Sequence, residues 1–291
     1  MSTTLTLLAN GLWLGSTYAL IALGMVLAFR ATRTLNFAHG ELMLLAGYVV
    51  AKLEANHTLP AYVAVVVAIV ATSVAAALVY LLALRRTTGM QMFVAVVVTI
   101  GVASVGDGLM AWGFGPNDQY LRLPGIPGTV LSVSGARVSL FTIILGGFSF
   151  CLAVAVALVL RYTRVGMRLR AAGQNPLLAS QGGVHVERIY TASWAAAGAL
   201  AAVAGICYGA SNVVNVSVTA LALNAFPAML LGGLDSIGGA ILGGIIIGMI
   251  QTAVSIWGNG QLAGVSSYIV LLLVLLVLPH GLFGTREVAR V

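Results

Sequence analysis

LTLLANGLWLGSTYALIALGMVLAF, Leu5 to Phe29, carries no charged side chain. A helix that crosses the hydrocarbon core needs roughly 20 predominantly apolar residues, so this stretch reads as a membrane span. No basic residue precedes it, and no small-residue cleavage site followed by polar sequence ends it. It therefore reads as a permanent first helix rather than a removable leader. Comparable runs follow at Tyr62–Leu84, Phe93–Phe114, Leu140–Leu160 and Tyr268–Leu278. None has the period-2 alternation over ten-residue segments that a membrane barrel strand needs. The whole 291-residue chain agrees, being 60% hydrophobic and only 7% charged, with a mean hydropathy of +1.05, against about 25% charged residues in ordinary soluble chains. The fold class expected is all-α, a polytopic transmembrane helical bundle of eight to nine helical segments.

The segments are expected at about 5–29, 37–53, 60–84, 92–114, 138–160, 188–212, an interrupted stretch 213–257, and 263–280. The interrupted stretch carries Asn212, Asn215, Asn224 and Pro227, then a Gly-rich turn at Gly232–Gly239. It reads as two crossings or as one crossing with a re-entrant arm. Short loops place eleven of the fourteen basic residues on one side, among them Arg30, Arg33, Arg85, Arg86, the arginines at 161, 164, 168, 170 and 188, Arg286 and Arg290; Lys52, Arg122 and Arg137 lie opposite. That side is cytoplasmic by the positive-inside rule. The N-terminus is then outside and the C-terminus inside, with Asp235 near an inward-dipping turn. The net charge of +7 thus reports topology and gives no reason to invoke nucleic acid. The chain reads as a single domain over 1–291, with a cytoplasmic loop at 161–187 and an outer loop at 115–137 rich in turn residues: Pro116, Pro124, Gly125, Pro127 and Gly128. Cys151 and Cys207 sit in apolar runs without the spacing of a disulfide framework or metal site, and read as packing residues.

The cytoplasmic loop holds the clearest local signal. Asn175 followed by Pro176 is a helix start, because the Asn side chain accepts a free amide hydrogen and Pro fits the first helical position. Leu177 to Gln181 continue the helix and Gly182–Gly183 stop it. A helix this short is unstable alone in water, so a partner is expected to dock on it.

Four collinear patches carry a family resemblance: NGLWLGSTYALIALGMVLAFRATRTLNFAHGELMLLAGY (10–48), RAAGQNPLLASQGGV (170–184), AFPAMLLGGLDSIGGAILGG (225–244) and PHGLFG (279–284). Together they resemble permease subunits of the branched-chain amino acid class of ABC importers, over nearly the whole chain. The resemblance implies that the short loop helix is a coupling helix seated on an ATPase, a role that falls on Ala171, Ala172, Gly173, Gln174, Asn175, Pro176, Leu177, Ala179 and Gly183. Leu178 and His185 stand where the family has a small residue and an asparagine. It further implies a second permease subunit, homologous or identical, two ATP-binding subunits that carry ATP and Mg, and a periplasmic or lipid-anchored substrate-binding protein. No cofactor is expected in this chain itself. The location implied is a bacterial inner membrane, and the activity is inward transport of branched-chain or related amino acids by alternating access. Urea, amides and aromatic acids are alternative cargoes, and an ion-coupled secondary transporter is the alternative class.

TLNFAHGELMLL, Thr34 to Leu45, places polar groups between apolar runs. Asn36 reads as a cap at the cytoplasmic start of the second helix, and Glu41 is favoured in its first turns by the helix dipole. His39 and Glu41 exceed what capping needs, and intramembrane polar groups usually face protein or a cavity; Asn36, His39 and Glu41 are therefore candidates for a substrate pathway. Asp107, flanked by Gly106 and Gly108, joins them. Two roles are open to it: recognition of a substrate ammonium group or a structural hydrogen bond. A proton relay is disfavoured because Glu41 and Asp235 are expected near the other face. Gly239 with Gly243, and Gly244 with Gly248, repeat the four-residue spacing of close helix packing, as do Gly11 and Gly15. Catalytic motifs fail: His39-Gly40-Glu41 has no second histidine at zinc-protease spacing, no phosphate-binding GxxxxGK[ST] occurs, and Asp107 lacks the first glycine and the partner of an intramembrane aspartyl protease.

Overall fold

The computed structural model describes every residue except 1, 56–59, 88, 116, 122–128, 134–135 and 285–291. Pro116, Arg122, Pro124, Gly125, Pro127, Gly128, Arg286 and Arg290 lie outside the described residues. The elements in chain order are α1 (Ser2–Thr32), α2 (His39–Ala55), α3 (Ala61–Val79), α4 (Met92–Phe114), β1 (Val130–Val133), β2 (Ala136–Ser139), α5 (Leu140–Tyr162), α6 (Arg164–Gln174), α7 (Pro176–Gln181), α8 (Val186–Gly209), α9 (Ser217–Gly232), α10 (Ile237–Trp257) and α11 (Gly260–Val277). Seven helices among the described residues are long and apolar enough to cross a membrane: α1, α3 with its continuation to Thr87, α4, α5, α8, α10 and α11. Among the described residues α9 is a shorter apolar helix, and the 17-residue α2 lies between α1 and α3 in the chain. The protein is a multi-pass helical membrane protein.

Three elements were not expected. The segment between α4 and α5 contains a small antiparallel hairpin, β1 against β2, with Val130 opposite Ser139. The end of α3 widens into a π-helical turn at Tyr80–Leu84 before a 3-10 turn at Arg85–Thr87. The loop at 161–187 holds two helices rather than one, because α6 precedes the short α7. Its alternation of Arg164, Arg168 and Arg170 with Val165, Met167 and Leu169 is a surface-helix pattern, which a reading centred on Asn175 passes over.

The chain forms two compact units. One comprises Leu27–Ile126 and Leu158–Leu223, the other Met1–Val26, Pro127–Ala157 and Asn224–Val291. In the first, small residues let α2, α3 and α8 pack closely. Ala64, Ala68, Thr72 and Ala76 form the buried edge of α3, and a Cβ on Gly198 of α8 would lie 2.5 Å from the Ala76 Cβ. Gly205 lies so close to the Met43 backbone that its Cβ position is already filled. At one end of this core Tyr80 stacks on Trp194 and meets Tyr190 edge-on.

In the second unit the expected glycine faces are both occupied within the chain. Gly239 and Gly243 lie against Gly232 and Ala228 of α9, while Gly244 and Gly248 lie against Ala19 and Gly15 of α1. Tyr18 donates a buried hydrogen bond to the Gln251 side chain, 2.5 Å. Ser236 caps α10 by accepting from the Gly239 amide at 3.0 Å. The last helix stops at Val277, and the following PHGLFG stretch turns back so that Leu282 and Phe283 amides bond the Leu231 and Gly232 carbonyls. Cys207 is buried, whereas Cys151 is exposed on α5 and is not a core packing residue.

Candidate functional site

The sequence places Asn36 at the cytoplasmic interface; the structure moves it inward. Along α4, counting from Met92 at about 1.5 Å per residue, the chain from Thr34 onward is tied at successive levels. The Leu35 carbonyl and the Phe37 amide both meet the Thr99 hydroxyl, 3.2 and 3.4 Å, about 10 Å into α4. Glu41 lies against Gly106, whose Cβ position is 2.9 Å from Glu41 Cγ, at about 21 Å. Tyr48 stacks on Phe114 with centroids 5.1 Å apart, at about 33 Å. Helix α8 gives the same ordering: Thr32 accepts from the Trp194 indole, 3.3 Å, and Met43 abuts Gly205, which are about 12 and 28 Å from Val186.

The second crossing is therefore broken. Its lower part, Arg33 to Ala38, is non-helical, and helix α2 begins within the membrane span. Non-helical backbone survives at such depth only where protein or a water-lined cavity covers it. Here Arg33 ends α1 in the left-handed region at φ 54°, Asn36 Oδ1 accepts from the Ala38 amide at 3.1 Å, and buried Thr99 serves the backbone on both sides of Asn36. Thr99 was not singled out from the sequence. Its signal is a seven-residue spacing to Gly106, which puts both on one helix face. Replacing Thr99 with valine keeps the shape but leaves the Leu35 carbonyl and the Phe37 amide without this partner. We expect a loss of about 1–3 kcal/mol, measurable as a lowered melting temperature of the purified protein with an intact helical circular dichroism spectrum.

Three of the four pathway candidates meet at this break. Asn36 and His39 are 5% and 0% exposed. Among the described residues, Asn36 Nδ2, both His39 ring nitrogens and Glu41 Oε2 have no hydrogen-bond partner. Asp107, expected far from Glu41, is the residue after Gly106, so the Glu41 side chain lies beside the turn of α4 that carries Asp107. The separation assumed from the sequence is corrected by the depth at which α2 starts. Asp107 itself is exposed, on a side of α4 shared with Ile100, Ser104 and Ala111 and turned away from Val105, Leu109 and Trp112. Asn215 does other work: it bonds Asp118 at 2.9 Å and accepts from the Ser217 amide at 3.0 Å, holding the start of α9. Asn212 bonds the Tyr208 carbonyl. Among the described residues no group of three His, Cys, Asp or Glu side chains could hold a metal ion.

The second constellation is the platform α6–α7. Asn175 accepts from the Leu178 amide at 3.0 Å, with Pro176 at the first helical position. At the far end, the Val184 amide bonds the Ala179 carbonyl and Gly183 takes φ 81°, a conformation that favours glycine. The platform is tied down from below. The Tyr190 hydroxyl donates to the Ala172 carbonyl, 3.1 Å; Arg170 donates to the Leu160 carbonyl at the end of α5, 2.7 Å; and Gly173 lies directly on the Arg30 carbonyl of α1. Ala172 and Ala179 are buried, whereas Ala171, Gln174, Asn175, Pro176, Leu177 and Leu178 are exposed. The two leucines are 67% and 62% exposed. Arg85 and Glu187 form an ion pair beside the platform. An Asn175→Ala substitution removes the cap and should cost about 1 kcal/mol, read as a roughly fivefold faster hydrogen exchange at the Leu178 amide.

Comparison with known proteins places this arrangement. The family model described as "Branched-chain amino acid transport system / permease component" matches residues 7–278. The chain is 30% identical to the high-affinity branched-chain amino acid transport system permease protein LivH of Escherichia coli (strain K12), over 97% of this chain and 96% of that one. It is 28% identical to BraD of Pseudomonas aeruginosa, over 98% and 97%, and 28% identical to the probable LivH of Methanocaldococcus jannaschii, over 91% and 88%. No solved structure matches the chain.

Proposed function

Because the chain belongs to the family of branched-chain amino acid transport permease components, we propose that it is the membrane subunit of an ATP-driven importer that carries branched-chain or related amino acids inward. The observation that carries the reading is the α7 rod, capped at both ends, anchored to the ends of α1, α5 and α8, and presenting Leu177 and Leu178 to solvent. Such a rod transmits motion only if a second protein grips it. Two ATP-binding subunits supply that grip, and ATP with Mg is bound there rather than in this chain. An outer substrate-binding protein delivers the cargo. A second permease, identical or homologous, completes the path.

The α4 face supports this last point. A carboxylate turned to lipid at the helix centre costs about 2.5–3.5 kcal/mol, yet Asp107 is uncovered in the single chain. A second permease or the water of a shared path satisfies it. Asn36, His39, Glu41 and Asp107 then line the route. The side that carries α6 and α7 holds the arginine-rich loop, so it is cytoplasmic by the positive-inside rule; the N-terminus is outside and the C-terminus inside, in a bacterial inner membrane.

The experiment is reconstitution of the chain with the ATPase and binding proteins encoded beside it, followed by uptake of radiolabelled leucine into proteoliposomes. Uptake that needs internal ATP and stops with vanadate is expected. Uptake driven by a proton or sodium gradient, and indifferent to vanadate, overturns the reading in favour of a secondary transporter.

A further inference from the structure

The broken second crossing does more than interrupt a helix. An α-helix that starts inside the membrane presents free amide hydrogens where no water competes for them, with the positive end of its dipole behind them. In α2 the Ala38 amide is taken by Asn36 and the Leu42 amide by the Ala38 carbonyl. Among the described residues, the amides of His39, Gly40 and Glu41 have no acceptor. Beside them, fully buried His39 offers two ring nitrogens without a partner, and Asn36 offers an unpaired amide nitrogen. These groups together make a cluster of donors.

One helical turn supplies the opposite charge. Side chains on a helix lean toward its N-terminus, and Glu41 lies along the first turn of α2 against Gly106, next to Asp107. No arginine or lysine lies in this part of the chain; the nearest basic residue in sequence, Arg33, lies below the break and is exposed, with its guanidinium over the Phe29 ring. By their ties to Thr99 and Gly106, the Asn36 end and the carboxylate end stand about 10 Å apart along α4, with the amides of His39 and Gly40 between them. An α-amino acid carries its carboxylate and ammonium on one carbon, and few other small solutes show both charges at so short a separation.

We propose that the start of α2 is a zwitterion site: the free amides of His39, Gly40 and Glu41, with Asn36 and His39, receive the α-carboxylate of an amino acid, and Glu41 with Asp107 holds its ammonium group. The site is closed on one side by the start of α9, since the Gly40 Cβ position is 2.7 Å from the Thr219 carbonyl. It opens toward α4, where Glu41 is half-buried and Asp107 exposed. Recognition is by the backbone of the amino acid, so the site is indifferent to side-chain shape, and selection among amino acids falls to the binding protein. This inference rests on the importer reading above and specifies its site.

The test uses the assembled importer in nanodiscs with the binding protein omitted, so that only the membrane site is read. Displacement of radiolabelled L-leucine is measured with three probes: unlabelled leucine, isopentylamine, which lacks the carboxylate, and 4-methylpentanoate, which lacks the ammonium. Both truncated probes are expected to compete at least about tenfold more weakly than leucine. Glu41→Gln and Asp107→Asn should each weaken leucine binding by about tenfold while leaving 4-methylpentanoate unchanged. Equal competition by isopentylamine and leucine removes the helix-terminus half, and unchanged leucine affinity in both variants removes the carboxylate half. The probe series on the unsubstituted protein needs no variant to fold. If wild-type proteoliposomes show no ATP-driven uptake, the importer reading itself has failed; if they do, and Glu41→Gln with Asp107→Asn leaves KM unaltered, only this site has failed.

Discussion

Substituting Leu177 and Leu178 together by aspartate is expected to abolish ATP-driven uptake, lowering it by at least about a hundredfold, without unfolding the protein. Both side chains stand out from α7 and are among its most exposed apolar groups. Losing two apolar anchors from a docking surface, each worth about 2 kcal/mol when buried by a partner, accounts for a factor of that size. Exposed positions away from caps and cores change folding stability by about 0.5 kcal/mol or less, so the melting temperature of the isolated subunit should hardly move. Two measurements on one preparation decide the matter: co-purification of the ATPase subunits, which should be lost, and thermal unfolding of the permease, which should not. Retained ATPase with normal uptake would place the coupling contact elsewhere on the chain. Buried Ala172 and Ala179 serve a different purpose. They seat the platform on the membrane helices, and larger residues there would disturb the fold rather than the docking alone.

The fold was legible where burial in lipid dictates the answer. Apolar length and the absence of charge mark α1, α3, α4, α5 and α8 within a few residues of their ends, because a span must satisfy its own backbone. Asn175–Pro176 and Gly183 are equally readable, since their roles are local and set by one hydrogen bond or one dihedral angle. What sequence could not give was depth. Asn36 looks like an interfacial cap because Arg33 is three residues away, and nothing in TLNFAHGELMLL announces that the chain climbs without helical bonds before α2 starts. That climb depends on Thr99 and Gly106, which lie more than sixty residues downstream. The proximity of Glu41 to the Asp107 turn follows from the same tertiary fact. The loop at 161–187 shows the complementary error: α6 is amphipathic and local, yet the capping signal of α7 is the stronger one and hides it.

Gly205→Leu should be the most damaging single substitution to the broken crossing, and Gly101→Leu the instructive control. The Cβ position of Gly205 is already filled by the backbone of Met43. Backbone cannot change rotamer to make room, so α2 must shift away from α8 along its whole length. Inserting several methylenes into a closely packed core costs about 1–3 kcal/mol and more where backbone has to move, and here the displaced helix also carries the polar groups at its start. The expected result is little folded protein, with rapid trypsin cleavage of what is made. Gly101 faces open space, with nothing within 4 Å of its Cβ position in the single chain, and leucine is the better helix former by roughly 0.8 kcal/mol. A folded, trypsin-resistant monomer is therefore expected from Gly101→Leu. Its assembly is a separate matter, because Gly101 lies on the uncovered side of α4 that carries Val105, Leu109 and Trp112, about a third of a turn from Asp107. If a second permease covers that face, Gly101→Leu breaks the pair while sparing the fold, and size-exclusion chromatography of the complex separates the two effects. A fully assembled Gly101→Leu importer would move the partner off this side of α4.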